Sequence, residues 1–562
     1  MEDIKEKLKV AISEIFGISV EPNVTEAPKN LDGDFGADYS TNVAMQICKQ
    51  VGKNPRQVAE EIAKSLADSG YDIEIAGPGF LNFKSSDEYF KQKIADFGSK
   101  FTENISCDEY SGKTVICEFS DPNPFKVLHV GHLYTSMVGD SISRIVEFAG
   151  GKVVRANFGG DVGLHVAKTI YAVRKNNVDI SNIEMIAKCY VEGTRDYEED
   201  ETAHEEITKL NKIIYEIAAN GEDFNYDDAK KAEVAKLYWT GREVSYNYFK
   251  DFYARIGVKF DKYYPESTVA SRGLHEVQEH IGTVYEESDG AIVYRGEKDG
   301  LHTRVFINKN GLPTYEAKDV GLIFTKYDDY EFDKSIVITG NDIIEYMKVV
   351  LASISKYAPE LVERTLHLTH GNVRLPGNEK MSSRKGNFLK AVDVLEAVNE
   401  ALEKEHGSFD EKVSLGAAKY AFLKYKVGGN IIFSPEESVK MTGNSGPYLQ
   451  YSAVRASKII GNLLKDGVSS AKENWELSER ERELIKKIIA YPDELKAVVS
   501  ELAPNKLCTY LYELAQEFSR FYETTKVAGS EYEFERGQIV LAYLKVLTHG
   551  LSLLGIEVPE RM

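Results

Sequence analysis

Apolar residues recur every three or four positions from Ile4 to Phe16, around Asn42 to Val51 and from Pro55 to Leu66, a spacing that lines one face of a helix. The pattern then changes. Asp72 to Ile75 predicts a strand, Gly77-Pro78-Gly79 a turn, and the alternating Phe80-Leu81-Asn82-Phe83 a second strand before a helix near Glu88 to Phe97. These elements make an α+β unit, residues 1–105, with its boundary near Ile105.

The short apolar run Thr114-Val115-Ile116-Cys117-Glu118-Phe119 predicts a buried strand. A turn containing Pro and Asn follows, then a helix from about His132 to Ala149 and a strand from Val153 to Phe158. Strand, helix, strand opens a doubly wound parallel sheet, assigned to residues 106–375. The acidic, helical stretch from about Ile183 to Asp261 reads as an insertion. Strands at Ala291 to Tyr294, Thr303 to Ile307 and Ser335 to Thr339 are expected to resume the same sheet. From Leu415 onward strand patterns disappear, and helical patterns at Leu415 to Tyr425, Pro447 to Leu464, Glu479 to Ala490 and Leu507 to Thr524 predict an all-α domain, 412–562, reached through a connection at 376–411. The fold class is therefore multidomain α/β.

At 562 residues the chain exceeds what one hydrophobic core supports. With 43% hydrophobic and 28% charged residues it has the make-up of a soluble globular protein. No run approaches the roughly 18 apolar residues of a membrane span, and Met1-Glu2-Asp3-Ile4-Lys5 lacks the layout of a signal peptide, so a cytoplasmic location is expected. The five cysteines are scattered, with no C-x-x-C pair, which predicts reduced thiols and neither structural zinc nor another protein-bound metal. A net charge of -20 argues against a nucleic-acid partner until its distribution is considered: between Lys412 and Lys465 eight basic residues face two acidic ones.

Two motifs carry chemistry. Pro124-Phe125-Lys126-Val127-Leu128-His129-Val130-Gly131-His132 sits at a strand-to-helix turn, where unpaired N–H groups and the helix dipole favour phosphate. Gly131 permits close approach of a flat adenosine, and His129 and His132 can donate to a phosphoryl group gaining charge. Far downstream, Gly377-Asn378-Glu379-Lys380-Met381-Ser382-Ser383-Arg384-Lys385-Gly386-Asn387 sets three cations among small and hydroxyl residues, in a loop suited to a triphosphate.

Together these resemble the HIGH and KMSKS signatures of class I aminoacyl-tRNA synthetases, in the order that class shows around a Rossmann-like sheet. The surrounding residues resemble the arginyl-tRNA synthetases over nearly the whole chain. Glu118-Phe119-Ser120-Asp121-Pro122-Asn123 is similar to that family's lead-in to the first motif, Gly160-Asp161-Val162-Gly163 to its G-D-x-G turn, Pro265-Glu266-Ser267 to its G-E-S, and Thr314-Tyr315-Glu316-Ala317-Lys318-Asp319 to its T-Y-x-x-R/K-D element. Gly446-Pro447-Tyr448-Leu449-Gln450-Tyr451, with Arg455 and the terminal residues up to Met562, resembles its anticodon-binding domain. Asp38-Tyr39-Ser40-Thr41-Asn42-Val43-Ala44 and Ala76-Gly77-Pro78-Gly79-Phe80 resemble the additional N-terminal domain that it uses on the tRNA elbow.

The resemblance implies a ligase that uses ATP, with Mg2+ on the nucleotide, to activate L-arginine and transfer it to the 3′-terminal adenosine of tRNA(Arg), acting as a monomer. It implies catalytic roles for His129, His132, Lys380, Lys126, Arg384 and Lys385, and ATP contacts from Gly131, Gly340, Asp342, Met381 and Ser382 as well. Glu118, Ser120, Asn123, His165, Glu266, Tyr315 and Asp319 are implied to hold arginine. Tyr448, Gln450, Tyr451, Arg455 and Met562 are implied to meet tRNA. A guanidinium is a planar, always-charged fork of donors, so the carboxylates fit its burial. Departures from the family pattern are Lys-Met-Ser-Ser-Arg at the second motif, Gly340-Asn341-Asp342-Ile343-Ile344 in place of G-A-D-H-H, His165 in place of glutamine and Tyr134 in place of arginine. A class I enzyme of another specificity, or a catalytically silent tRNA-binding relative, are the competing readings.

Overall fold

The structure, a computed structural model, describes residues 1–27, 35–374, 389–466, 472 and 474–562. At the N-terminus a four-stranded antiparallel sheet, ordered β1-β2-β4-β3, is formed by β1 (Val24–Glu26), β2 (Tyr39–Thr41), β3 (Tyr71–Ala76) and β4 (Phe80–Ser85). Helices Glu2–Phe16, Val43–Val51 and Pro55–Ser65 bury their apolar faces with it. Asn54 caps the third of these: its side chain accepts from the Arg56 N–H, and Pro55 fills the first helical position, where no donor is needed. β1 and β2 are three residues each, too short to leave a period in the sequence.

The central sheet begins with β5 (Thr114–Glu118), β6 (Lys152–Gly159) and β7 (Lys262–Pro265). Between β6 and β7 lie helices Leu164–Asn176, Ile183–Glu199, Glu201–Asn220 and Ala229–Arg255, which share a core of their own around Val166, Ile207, Ile214 and Tyr238. β8 (Glu286–Ser288), β9 (Ala291–Tyr294) and β10 (Arg304–Ile307) form a separate three-stranded antiparallel sheet. This corrects the expectation that the strands near 291 and 303 resume the central sheet. β9 follows β8 after only Asp289 and Gly290, both with positive φ, and so tight a reversal makes the pair antiparallel. Among the described residues only β11 (Lys334–Gly340) and β12 (Thr365–His370) return to the parallel sheet, whose order is β12-β11-β5-β6-β7.

That order reverses direction at β5. From β5 the chain winds outward through β6 to β7, and on the other side through β11 to β12, so the carboxyl ends of β5 and β11 flank a crevice at the topological switch point. The chain continues through β13 (Val373–Arg374) to β14 (Ile431–Ile432), which pairs with it in parallel. β14 interrupts the run of helices expected after Leu415, and at two residues it is below the length at which a pattern is visible. Helices Glu411–Leu423, Gly446–Asp466, Glu479–Ile489, Tyr491–Glu501, Pro504–Thr524 and Glu533–Leu553 complete the C-terminal part. Their apolar faces are continuous with the Val130–Phe148 helix in one core: Tyr134 stacks on Phe422 at 5.5 Å, and the Ser141 hydroxyl donates to the Leu553 carbonyl at 3.0 Å.

Candidate active site

The crevice at the switch point is a cleft of about 630 Å³. Its first wall is the turn after β5. Ser120, Asp121 and Phe125 all adopt left-handed backbone, a strained arrangement for non-glycine residues that packing must hold. The Asp121 carboxylate accepts from the Phe158 N–H at 2.8 Å and the Asn123 side-chain oxygen from the Gly160 N–H at 2.8 Å, which ties this turn to the end of β6. With its oxygen engaged, Asn123 offers its amide as a donor to the cleft. A Cβ at Gly160 would stand 2.6 Å from that oxygen, so only glycine fits there.

The helix begins at Val130, two residues before the expected start, because His129 caps it. His129 Nδ1 accepts from the Gly131 N–H at 3.1 Å, and His132 Nδ1 accepts from the His129 N–H at 3.1 Å. The rings stack with centroids 3.8 Å apart. Burial, reinforced by the Lys126 charge, pushes the His129 imidazole down to about 4, and burial beside His129 drives His132 well below its ordinary value. Both rings are therefore neutral at pH 7. With Nδ1 accepting, each carries its proton on Nε2, so the pair adds two donors to the helix N-terminus. A Cβ at Gly131 would come within 2.8 Å of the His129 ring. Gly340 and Asp342, after β11, complete this end of the cleft.

The opposite end holds Glu118, Glu266, Tyr315 and Asp319. Glu118 accepts from Lys326 Nζ at 2.5 Å and Glu266 from Lys318 Nζ at 2.6 Å, both pairs buried, so each of these charges is already balanced within the protein. Asp319, one turn from Tyr315 on the Tyr315–Tyr330 helix, has no cation of its own among the described residues. The Tyr346 hydroxyl donates to it, yet burial lifts its carboxyl to about 7. Tyr315 is 58% exposed on the rim.

Several expected contacts fall elsewhere. His165 is buried with its Nε2 2.7 Å from the Gly160 carbonyl: at the start of the helix beginning at Leu164, its ring supports Gly160 and does not line the cleft. Lys126 packs over the Tyr190 ring at 4.6 Å, outside the cleft lining, and acts on the histidines through its field. Lys380, Met381, Ser382, Arg384 and Lys385 lie outside the described residues. In the C-terminal part Tyr451 is 39% exposed, with Arg455 over its ring, and Tyr448 is half-buried and hydrogen-bonded to Ser519. Gln450 is fully buried, and its amide donates to the Lys412 and Glu557 carbonyls, so it does not face a ligand. Met562 packs against the core. The basic excess there is also partly spent internally, since Lys419 is buried on the Gly555 carbonyl and Lys412 pairs with Glu557.

Sequence reasoning gave no site role to Lys318 and Lys326, which neutralise Glu266 and Glu118, or to Asp161, which is fully buried and accepts from the Ser267 N–H and hydroxyl, Arg242 and Tyr238. The eight-residue interval from Lys318 to Lys326, both on one helix, was the available signal. Arg304 and Tyr346 also line the cleft, and no local pattern marks either.

A doubly wound parallel sheet with a histidine-capped helix at its switch point, a helical insertion and a helical C-terminal part defines a class I aminoacyl-tRNA synthetase. The family model described as "tRNA synthetases class I (R), catalytic domain" matches residues 101–433, "DALR anticodon binding domain" matches 449–562, and "Arginyl tRNA synthetase N terminal domain" matches 2–85. The chain belongs to the arginyl-tRNA synthetase family. It is 28% identical to the arginine--tRNA ligase of Flavobacterium psychrophilum, over 100% of this chain and 99% of that one, and 30% identical to that of Shewanella baltica, over 93% of each. In fold it is similar to the Thermus thermophilus arginyl-tRNA synthetase (TM-score 0.78, 22% identity, 100% of both chains) and to that of Plasmodium falciparum (TM-score 0.75, 22% identity, 100% of this chain and 99% of that one).

Proposed function

We propose that the chain activates L-arginine with ATP and esterifies the arginyl group onto the 3′-terminal adenosine of tRNA(Arg). The observation that supports this most is Asp319, a cleft carboxylate without a cation of its own among the described residues, placed opposite a pair of neutral histidines at a helix N-terminus. ATP lies with its α-phosphate at the His129 and His132 donors and its adenosine along Gly131, Gly340 and Asp342. Arginine lies with its guanidinium on Asp319 and the Tyr315 hydroxyl and its carboxylate toward the Asn123 amide. The carboxylate attacks the α-phosphorus, the bond to the bridging oxygen breaks, and pyrophosphate leaves with the electron pair. A tRNA ribose hydroxyl then attacks the arginyl carbonyl and expels AMP.

The protein's part is positioning and electrostatic stabilisation. The Nε2–H donors cost no reorganisation as phosphoryl charge develops, because the capping hydrogen bonds already fix them. Lys380, Arg384 and Lys385 are assigned to the leaving pyrophosphate. Magnesium arrives as part of the nucleotide substrate; among the described residues no group of three or more His, Cys, Asp or Glu is arranged to hold an ion. We assign residues 1–105 to the tRNA elbow, 376–411 to the second motif and its connection, and Tyr451 and Arg455 to the anticodon stem-loop. The chain acts in the cytoplasm as a monomer. Among the described residues no helix is long and apolar enough to cross a membrane.

The test is arginine-dependent exchange of pyrophosphate into ATP, with tRNA present, run with each amino acid in turn. Exchange with arginine alone is expected. Exchange driven equally by lysine would sink the assignment.

A further inference from the structure

A second cavity, of about 760 Å³, opens between the C-terminal half of the Ala229–Arg255 helix and the edge strand β7. In a chain of net charge -20, its lining holds three cations, Arg242, Lys250 and Lys259, and no acid. Lys250 and Lys259 are exposed and form no ion pair with any described residue. Arg242 donates from Nε to Asp161 at 2.9 Å, and its two Nη groups make no hydrogen bond within the described chain.

Four of the other lining residues are aromatic, Tyr246, Tyr253, Phe260 and Tyr263. Tyr246 and Tyr263 meet edge to face at 5.9 Å and Phe260 is tilted against Tyr263 at 5.7 Å, while the Arg242 guanidinium lies over the Tyr246 ring at 5.0 Å and Phe119 and Tyr253 back Phe260 at 4.7 and 4.8 Å. Two lysines without an ion pair among the described residues and a guanidinium with spare Nη donors, set beside aromatic rings, suit a ligand that is planar at one end and anionic at the other, and the cavity lies within the size range of small-molecule sites. We propose that this cavity is a second ligand site that takes one unpaired nucleotide, its base against Tyr246, Phe260 and Tyr263 and its phosphate on Lys250, Lys259 and the Arg242 Nη groups.

The site touches the catalytic cleft at two points. At its floor the Tyr253 hydroxyl lies 2.8 Å from the Ser120 hydroxyl, and behind Arg242 the Asp161 carboxylate holds Ser267, the neighbour of Glu266. A nucleotide bound here therefore bears on both walls of the arginine end. Its source is either free nucleotide or the single-stranded 3′ end of tRNA, which share this chemistry.

The test uses the full-length protein with its cleft filled by arginine and a non-hydrolysable ATP analogue, titrated calorimetrically with CMP. One site is expected, weakened by salt, with cytidine and inorganic phosphate each binding at least tenfold more weakly than CMP. Lys250→Ala/Lys259→Ala, which alters only exposed side chains, is expected to weaken CMP by about tenfold or more. In the same variant, a rise in KM for tRNA with kcat unchanged assigns the site to the tRNA 3′ end, whereas an unchanged KM assigns it to free nucleotide. Absence of a saturable CMP site in the parent, or CMP binding unaltered in the double variant, overturns the proposal. Filling the cleft rests on the function proposed above, but the effect of the double variant on CMP is read with and without arginine and the ATP analogue, so failure of this proposal and failure of that one are told apart.

Discussion

Asp319 shows what a single residue does in this cleft. Burial holds its carboxyl at about 7, a cost to the unliganded protein that a guanidinium bound as proposed would relieve. Below that value the group is neutral and cannot balance arginine; above it the carboxylate is present. The KM for arginine is therefore expected to fall as pH rises from 6 to 8. Asp319→Asn should flatten that dependence and lower arginine activation by about two to three orders of magnitude, the equivalent of roughly 3 to 4 kcal/mol of a lost charge pair. Initial rates against arginine concentration at several pH values check both, and a variant that keeps the parent's pH dependence would remove Asp319 from the guanidinium site. The sequence made the acids around the cleft legible but not their inequality. Glu266 and Glu118 look like Asp319 in the chain, and only the fold brings lysines from one helix, Lys318 and Lys326, onto the first two.

At the scale of elements, the strand-to-helix turn was readable because its chemistry is local: a histidine cap, a glycine under its ring and a buried strand before it all lie within 20 residues. The three-stranded side sheet was misplaced because strand pairing is set by which neighbour is close in space, a fact that alternation does not record. The Tyr315–Tyr330 helix is anchored to β5 by the buried Lys326–Glu118 pair, and Lys326 also donates to Ser335 at the start of β11. Lys326→Met leaves Glu118 as a buried charge without a partner. Denaturation should show a loss of about 3 to 5 kcal/mol, most of it recovered by adding Glu118→Gln, which removes the orphaned charge. If the single variant is as stable as the parent, water reaches this pair and it does not anchor the helix.

For the molecule as a whole, the parts are fused more closely than the run of motifs suggests. His549, in the penultimate turn of the last long helix, packs against Phe101, Phe148 and Tyr491, and burial pushes its imidazole down to about 4. No charged side chain is among these contacts; the Tyr491 hydroxyl meets its Nδ1 at 2.7 Å. As pH falls from 6.5 toward 4 the unfolded chain takes up a proton at His549 that the folded chain refuses, so the parent loses stability across that window. Asp319 and Glu266, whose carboxyls are raised, act with the opposite sign, so the comparison must be with a variant. Relative to the parent, His549→Gln should gain about 3 kcal/mol between pH 7 and pH 4, read from urea midpoints.

The shared core also decides how the tRNA-facing surface is to be tested. Tyr134, Ser141, Phe422 and Leu553 belong to one continuous packing, so removing the chain beyond Gly407 would expose the catalytic helix and report on folding rather than on recognition. Point changes on the surface avoid this. Arg455 lies over the Tyr451 and Tyr522 rings, at 5.6 and 4.2 Å, and both rings are exposed. An exposed ring paired with a guanidinium is suited to an unpaired base and its phosphate. Arg455→Ala and Tyr451→Ala are each expected to raise the KM for tRNA by about tenfold while leaving kcat at saturating tRNA and the KM for ATP unchanged. For Arg455→Ala the slope of log KM against log salt should fall by about one, the signature of one lost phosphate contact, whereas Tyr451→Ala should leave the slope intact. Equal slopes in the two variants would mean that Arg455 supports the ring and does not meet phosphate.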